Sequence, residues 1–128
     1  MNDIIADLIA RIKNGSLANK LEIDVLKTKY SIHFLEVLEK EGFIRGYKLS
    51  KEKPNYLIVL LKYFESKPVI SKFKKVSTKS RRIYISVTEL WRLNNAFGIL
   101  ILSTTKGLMT DKEARRLKIG GEVIAYIE

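Results

Sequence analysis

Apolar residues in the first half of the chain switch between two periods. Ile4, Ile5, Leu8, Ile9 and Ile12 recur at helical spacing. They predict a helix over residues 3–14, capped by Asn2 or Asp3 and stopped by Asn14-Gly15. Residues 21–26 alternate instead, with Leu21, Ile23 and Val25 set against Glu22 and Asp24, the pattern of a half-buried strand. Thr28 opens a second helix whose inward face is read as Tyr30, Phe34, Val37 and Leu38, with Gly42 as its end. "GFIRGYKLS" and "NYLIVLLKYF" read as strands joined through Lys51–Asn55, where Pro54 suits a turn.

The second half begins with "SKP", residues 66–68, read as a connector. "VISKFKKVST" and "RRIYISV" are expected to pair as a hairpin across Thr78-Lys79-Ser80. A short helix around Glu89–Asn95, a buried strand "GILILS", a helix capped by Thr110 or Asp111 and a closing strand "GEVIAYI" complete the chain. The element order is α-β-α-β-β, then β-β-α-β-α-β. Mixed runs of this kind predict an α+β fold and not a doubly wound parallel sheet. The expected division is an N-terminal α-β-α-β-β subdomain over residues 1–65 and a C-terminal mixed-β subdomain with short helices over residues 66–128.

Charge sharpens this picture. The chain of 128 residues carries a formal net charge of +10. Residues 1–65 hold 11 Lys/Arg against 9 Asp/Glu, whereas residues 66–128 hold 13 against 5. Between Lys67 and Arg82 stand Lys67, Lys72, Lys74, Lys75, Lys79, Arg81 and Arg82 with no acid among them. Such a concentration attracts a polyanion and points to nucleic acid. There is no Cys, which excludes a disulfide scaffold, a Cys-ligated zinc site and a thiol nucleophile. No apolar run approaches the ~20 residues of a membrane span, so no membrane partner is expected. The N-terminal stretch, with Asp3 and Asp7, reads as a folded helix and not as a signal or import sequence.

Candidate chemistry centres on "STTKG". Ser103-Thr104-Thr105-Lys106 matches the Ser-x-x-Lys spacing of some acylating enzymes, but the further polar motifs those enzymes need are missing. His33 is the single His and has no acid cluster around it, so no metal site is read. No Gly-x-x-x-x-Gly-Lys-Ser/Thr motif supports nucleotide hydrolysis. What the stretch does supply is recognition chemistry. Ser103, Thr104 and Thr105 offer hydroxyls, Lys106 offers charge, and Gly107 permits close backbone approach and a positive φ. Hydroxyls of this kind suit a ribose 2′-hydroxyl, which is both donor and acceptor. Arg82 and Tyr84 share one strand face opposite Ile83 and Ile85, and Tyr84 can stack on a base or sugar. Glu122 either accepts from an exocyclic amine, orients a neighbouring Lys or Arg, or simply faces water. Lys74 and Lys75 stand for backbone neutralisation. No cofactor, metal or small-molecule substrate is expected.

"GILILSTTKGLMTDKEARRLKIGGEVIAY", from Gly98 to Tyr126, carries a Ser-Thr-x-x-Gly-hydrophobic-Met-Thr-Asp core followed by Gly-Gly-Glu. With "DIIADLIARIKNG", "VLEKEGFI", "LKYF" and "KVS...RRIY" in order and spacing, the chain resembles the bacterial-type small-subunit ribosomal protein family number eight over nearly its whole length. The resemblance implies two α+β subdomains and a non-catalytic, primary rRNA-binding component of the small ribosomal subunit. Its C-terminal subdomain would grip an irregular helix in the central domain of small-subunit rRNA. It implies loop contacts at Ser103, Thr104, Thr105, Lys106 and Gly107, with Tyr84 and Glu122 near the same RNA. Lys29 and Lys53 match basic positions of the N-terminal subdomain, and neighbouring small-subunit proteins are implied partners. The alternative function is a free regulatory RNA-binding protein, a translational repressor. Two departures stand out: Thr78-Lys79-Ser80 replaces a Pro-Gly turn, and Ile4 replaces a Pro. Lys outnumbers Arg 17 to 7, which reads as an AT-rich genome. This places the expected ribosome in a mitochondrion ahead of a plastid, with a bacterial cytoplasm as the alternative.

Overall fold

The computed structural model describes residues 4–93 and 98–128. The proposed caps Asn2 and Asp3, and the end of the short helix at Asn94 and Asn95, lie outside the described residues. The chain divides into two units, Met1–Ser71 and Lys72–Glu128, so the division falls after Ser71 and not after Glu65.

In the first unit, α1 (Ile4–Leu17) and α2 (Lys29–Lys40) pack on an antiparallel sheet of order β1-β3-β2, formed by β1 (Glu22–Leu26), β2 (Ile44–Leu49) and β3 (Tyr56–Leu61). Ile5, Leu8, Ile9 and Ile12 of α1 are buried, as are Val25, Ile44, Leu57, Val59 and Leu61 of the strands. Each such side chain contributes roughly 1.5–3 kcal/mol when fully buried.

Two sequence expectations change here. Gly15 does not stop α1, which runs on to Leu17. It lies buried against the sheet, where a Cβ would come within 2.5 Å of Ile23 Cγ2, so close packing and not termination requires the glycine. The left-handed turn residue is Asn19, at φ +55°. The inward face of α2 is Ser31, Phe34, Leu35 and Leu38, while Tyr30 is 38% exposed. Ser31 takes the inward position because its hydroxyl belongs to the cap. It accepts from Thr28 N at 2.8 Å and donates to Leu26 O at 2.9 Å, while Thr28 Oγ1 accepts from Ser31 N at 2.9 Å. Thr28 is thus the N-cap expected, within a reciprocal capping box.

The "SKP" connector is part of a tight hairpin. β4 (Tyr63–Phe64) pairs with β5 (Lys67–Pro68) around Glu65 and Ser66, both at positive φ, 52° and 67°. Two successive left-handed residues match the twist of a two-residue hairpin.

The second unit is built around β10 (Gly121–Ile127). On one side it pairs with β8 (Ile99–Thr104), which pairs in turn with β9 (Gly107–Thr110). On its other side lie β6 (Phe73–Lys75) and β7 (Tyr84–Ile85). The helices α3 (Val87–Arg92) and α4 (Asp111–Leu117) pack together, with Leu90 and Ala114 in one core with Leu102, Met109 and Val123. Ile83 and Ile85 pack against that core. Helix α3 opens with a capping box: Ser86 N donates to Glu89 Oε1 at 2.9 Å and Glu89 N donates to Ser86 Oγ at 3.2 Å. The backbone bond from Ser86 holds the Glu89 carboxyl below its ordinary range. Thr110 caps α4 by accepting from Glu113 N at 3.3 Å.

Of the expected hairpin between "VISKFKKVST" and "RRIYISV" only the tip closes, where Thr78 and Arg81 bond reciprocally, and the strands β6 and β7 do not pair with each other. β6 and β7 are both antiparallel to β10, so they run in the same direction and cannot be each other's hairpin partners. They lie end to end along one edge of β10. Val76 N donates to Ile124 O at 2.9 Å, and the next rung is Val123 N to Ile83 O at 2.8 Å. Residues 77–82 therefore leave the edge as an excursion. Ser77, 3% exposed, clasps its base: the Ser77 hydroxyl accepts from Ile83 N at 2.9 Å and donates to Ile83 O at 3.3 Å. Thr78 and Arg81 exchange backbone bonds of 2.9 and 3.2 Å within it. The unpaired β10 edge is worth more than a local hairpin, because every rung on it satisfies backbone groups of a central strand.

Candidate nucleic-acid interface

Alternation along the strands sends Ile83, Ile85, Leu102 and Val123 toward α3 and α4, and sends their neighbours to the other face. On that face Tyr84, Glu122 and Ser103 stand directly opposite one another across β7, β10 and β8. Tyr84 is 66% exposed. The Glu122 side chain is 16% exposed and lies 3.3 Å from Arg82 Nη1 through Oε2 and 3.4 Å through Oε1. Arg82 is the last residue of the excursion. The expectation that Arg82 and Tyr84 point away from the core is met, and Glu122 does hold a neighbouring arginine.

The "STTKG" stretch is a hairpin tip, with Ser103 and Thr104 on β8, Thr105 and Lys106 at the turn, and Gly107 opening β9. β9 itself was not legible as a strand. Gly107 has φ +107° with open space where a Cβ would stand, so backbone conformation and not crowding demands glycine there. The three hydroxyls divide into two roles. Thr104 Oγ1 accepts from Lys106 N at 3.1 Å and donates to Gly107 O at 2.9 Å, which locks the turn. Ser103 and Thr105 make no side-chain hydrogen bond among the described residues and remain available to a ligand.

The Gly pair beside the site has a steric cause. A Cβ on Gly121 would stand 2.4 Å from Ser103 O, and one on Gly120 would stand 2.3 Å from Ile85 O. Both strands flanking β10 can therefore close in on it, which brings Tyr84 and Ser103 to either side of Glu122.

The basic run from Lys67 to Arg82 is divided between the two units and, within the second, between the two faces of β6. Lys67 lies on β5 of the first unit. Lys74 and Lys75 are consecutive on β6, so they point to opposite faces; Lys74 is exposed and Lys75 half-buried. Lys79 and Arg81 are exposed on the excursion. In the first unit, Lys53 Nζ is 3.1 Å from Asp24 Oδ2 and 5.5 Å from the centre of the Tyr56 ring, a cation–π arrangement. Lys29 is exposed at the first turn of α2. Lys27 N donates to Asn55 O at 2.8 Å, which ties the approach to α2 to the loop carrying Lys53. Lys29 and Lys53 thus share one end of that unit. His33 is exposed on α2, and the described residues contain no cluster of His, Asp and Glu able to hold a metal. No described helix is long and apolar enough to cross a membrane. Sequence reasoning missed Trp91, 63% exposed on α3; six residues are too short a helix for periodicity to assign its faces.

Residues 3–127 match the model of the family described as ribosomal protein S8. The chain belongs to that family. It is 43% identical to small ribosomal subunit protein uS8 of Pelagibacter ubique (strain HTCC1062) over 129 aligned positions, covering 99% of this chain and 98% of that protein. It is 44% identical to the uS8 of Colwellia psychrerythraea (strain 34H / ATCC BAA-681), covering 100% of this chain and 99% of that one. The uS8 of Paramagnetospirillum magneticum (strain ATCC 700264 / AMB-1) is 43% identical over 99% of this chain and 98% of its own length. The S8 fold of two α+β parts is the arrangement described above.

Proposed function

We propose that this S8 protein is a non-catalytic constituent of the small ribosomal subunit which binds the central domain of small-subunit rRNA directly and supports assembly. The observation that carries the reading is the exposed face on which Tyr84, Glu122 with Arg82, and the free Ser103 stand side by side next to the Thr105-Lys106 turn. A ring for stacking, a hydroxyl for a 2′-hydroxyl and a cation for phosphate are the groups that single-stranded or irregular RNA requires. The exposed excursion cations Lys79 and Arg81 add backbone neutralisation, and Lys29 and Lys53 form a smaller basic end in the other unit. Membership of the S8 family, with relatives named as small-subunit proteins, supports the subunit assignment.

The ribosome concerned is better read as bacterial than mitochondrial. The named relatives are bacterial, and the excess of Lys over Arg that favoured an organelle fits an AT-rich bacterial genome equally well. The test is hydroxyl-radical footprinting on reconstituted small-subunit rRNA with probes tethered at the Thr105-Lys106 turn. Cleavage confined to the central domain is the expected result; cleavage elsewhere, or none, refutes the placement. Co-sedimentation with the small subunit separates this reading from a free translational repressor.

A further inference from the structure

The sheet of the first unit has two edges, and the helices close only one of them. In the order β1-β3-β2 each outer strand turns one row of backbone groups away from β3. On β1 the carbonyls of that row are taken up. Arg11 Nη1 donates to Asp24 O at 3.2 Å, and the Ser31 hydroxyl donates to Leu26 O at 2.9 Å. On β2 they are not. Gly46 and Lys48 pair with Leu60 and Ile58 of β3, and Ser50 N donates to Tyr56 O at 3.2 Å. Alternation therefore turns the N–H and C=O groups of Tyr47 and Leu49 outward, where they meet no partner among the described residues. The bulge between Ile44 and Gly46 lies before this stretch, and neither bulge nor proline interrupts it. The nearby cations do not guard it either. Lys48 leans across the sheet to within 4.0 Å of Glu22 Oε2, and Arg45 Nε donates to Leu61 O at 2.9 Å.

The side chains beside the open rungs define what fits them. Tyr47 and Leu49 lie on the helix side of the sheet, opposite Val59 and Leu57, and Leu49 is 62% exposed. Two acids of α2 lean over β2. Glu36 Oε2 accepts from the Tyr47 hydroxyl at 3.3 Å, and Glu39 Oε2 would stand 3.6 Å from a Cβ on Gly46. Burial, and then the charges of these two acids, hold the Tyr47 hydroxyl above its ordinary pKa. Neither acid forms an ion pair among the described residues. Phosphate is repelled here, so the edge is complementary to a cationic chain and not to RNA. The net charge of +10 disfavours a second copy of this protein as the occupant.

We propose that the β2 edge docks an extended segment of another protein, which joins the sheet as a fourth strand. The segment carries a lysine or arginine where it passes Tyr47 and an apolar side chain where it passes Leu49. Paired strands lie about 4.8 Å apart, so a cation opposite Tyr47 comes within reach of Glu36, and one two residues further on reaches Glu39. Main-chain bonds to Tyr47 and Leu49 hold the segment, while the acids and Leu49 select its sequence. The site goes beyond the RNA-binding reading and stands without it, since it uses none of the residues of that face.

The probe is the end-blocked peptide Thr-Val-Thr-Lys-Thr-Lys-Thr, titrated into the isotope-labelled full-length protein. Antiparallel to β2, it sets Val opposite Leu49 and the first Lys opposite Tyr47. Amide exchange at Tyr47 and Leu49 should slow roughly tenfold at saturating peptide. The counterpart with Glu for both Lys should bind roughly tenfold more weakly. Glu36→Lys combined with Glu39→Lys should reverse that preference, which an unfolded variant cannot do. Leu49→Pro should abolish binding with the urea midpoint close to wild type, because the N–H it removes faces outward at a strand edge. Equal binding of the two peptides, or no protection of Tyr47 and Leu49 at millimolar peptide, overturns the proposal. So does self-association through the same two amides, read by sedimentation equilibrium without peptide. In reconstituted small subunits, a benzophenone side chain in place of Leu49 should cross-link to a protein chain, and cross-links to rRNA alone overturn the occupant.

Discussion

Replacing Ser103 and Thr104 one at a time separates recognition from architecture within a single dipeptide. Thr104 Oγ1 makes two hydrogen bonds that close the turn, at 3.1 and 2.9 Å, whereas the Ser103 hydroxyl makes none among the described residues. An intramolecular hydrogen bond contributes about 0.5–1.5 kcal/mol net, and the half-exposed position lets water replace part of each bond. Thr104→Ala should therefore cost roughly 1–2 kcal/mol of unfolding free energy. Ser103→Ala should stay within about 0.5 kcal/mol, as expected for a surface change that breaks nothing. Against the central-domain transcript the order reverses in character. Ser103→Ala should lose roughly 1–3 kcal/mol of binding while the protein stays as stable as wild type. Thr104→Ala should lose binding in step with the disturbed turn. Urea unfolding followed by fluorescence, with m unchanged, gives the stabilities; filter binding to the transcript and to a random duplex gives the affinities. If Ser103→Ala destabilises the fold as much as Thr104→Ala, or leaves transcript binding intact, the division of labour between the two hydroxyls is wrong.

Gly121→Ala places a methyl 2.4 Å from Ser103 O and should destabilise the second unit by roughly 1–3 kcal/mol, read as a lower urea midpoint. If about six phosphates are neutralised, log affinity for the transcript should fall with log salt at a slope of roughly −4 to −5, and a flat titration contradicts backbone neutralisation. Because the Ser86 bond depresses the Glu89 pKa in the folded state, its stabilisation is present above the unfolded value near about 4.3 and is lost as pH falls through the folded value. The stability gap between wild type and Glu89→Ala should therefore narrow on acidification below about pH 4.3, and a constant gap removes the carboxylate from the cap.

Much of the α+β fold was open to reading along the chain, since caps and periods are local physics. Thr28 and Thr110 cap the helices expected of them, because a hydroxyl two or three residues ahead of a free backbone N–H is a sequence-near event. The outward side of Tyr84 and Arg82 follows from alternation alone. Net charge and its asymmetry point to the class of partner, since charge adds up whatever the topology. Gly15 reads as a stop because helix termination and close helix–strand packing both call for glycine, and only the position of Ile23 tells them apart. β6 and β7 look like each other's partners because a hairpin is the nearest pairing in sequence; the vacant edge of β10, far downstream of both, is the stronger one. That long-range choice sends residues 77–82 off the sheet, brings Arg82 onto Glu122, and sets Tyr84 and Ser103 on either side of it. Residue types and periods along a chain determine what each segment can offer, but strand pairing decides which offers meet, since its hydrogen bonds form between segments whose separation in sequence carries no local signal.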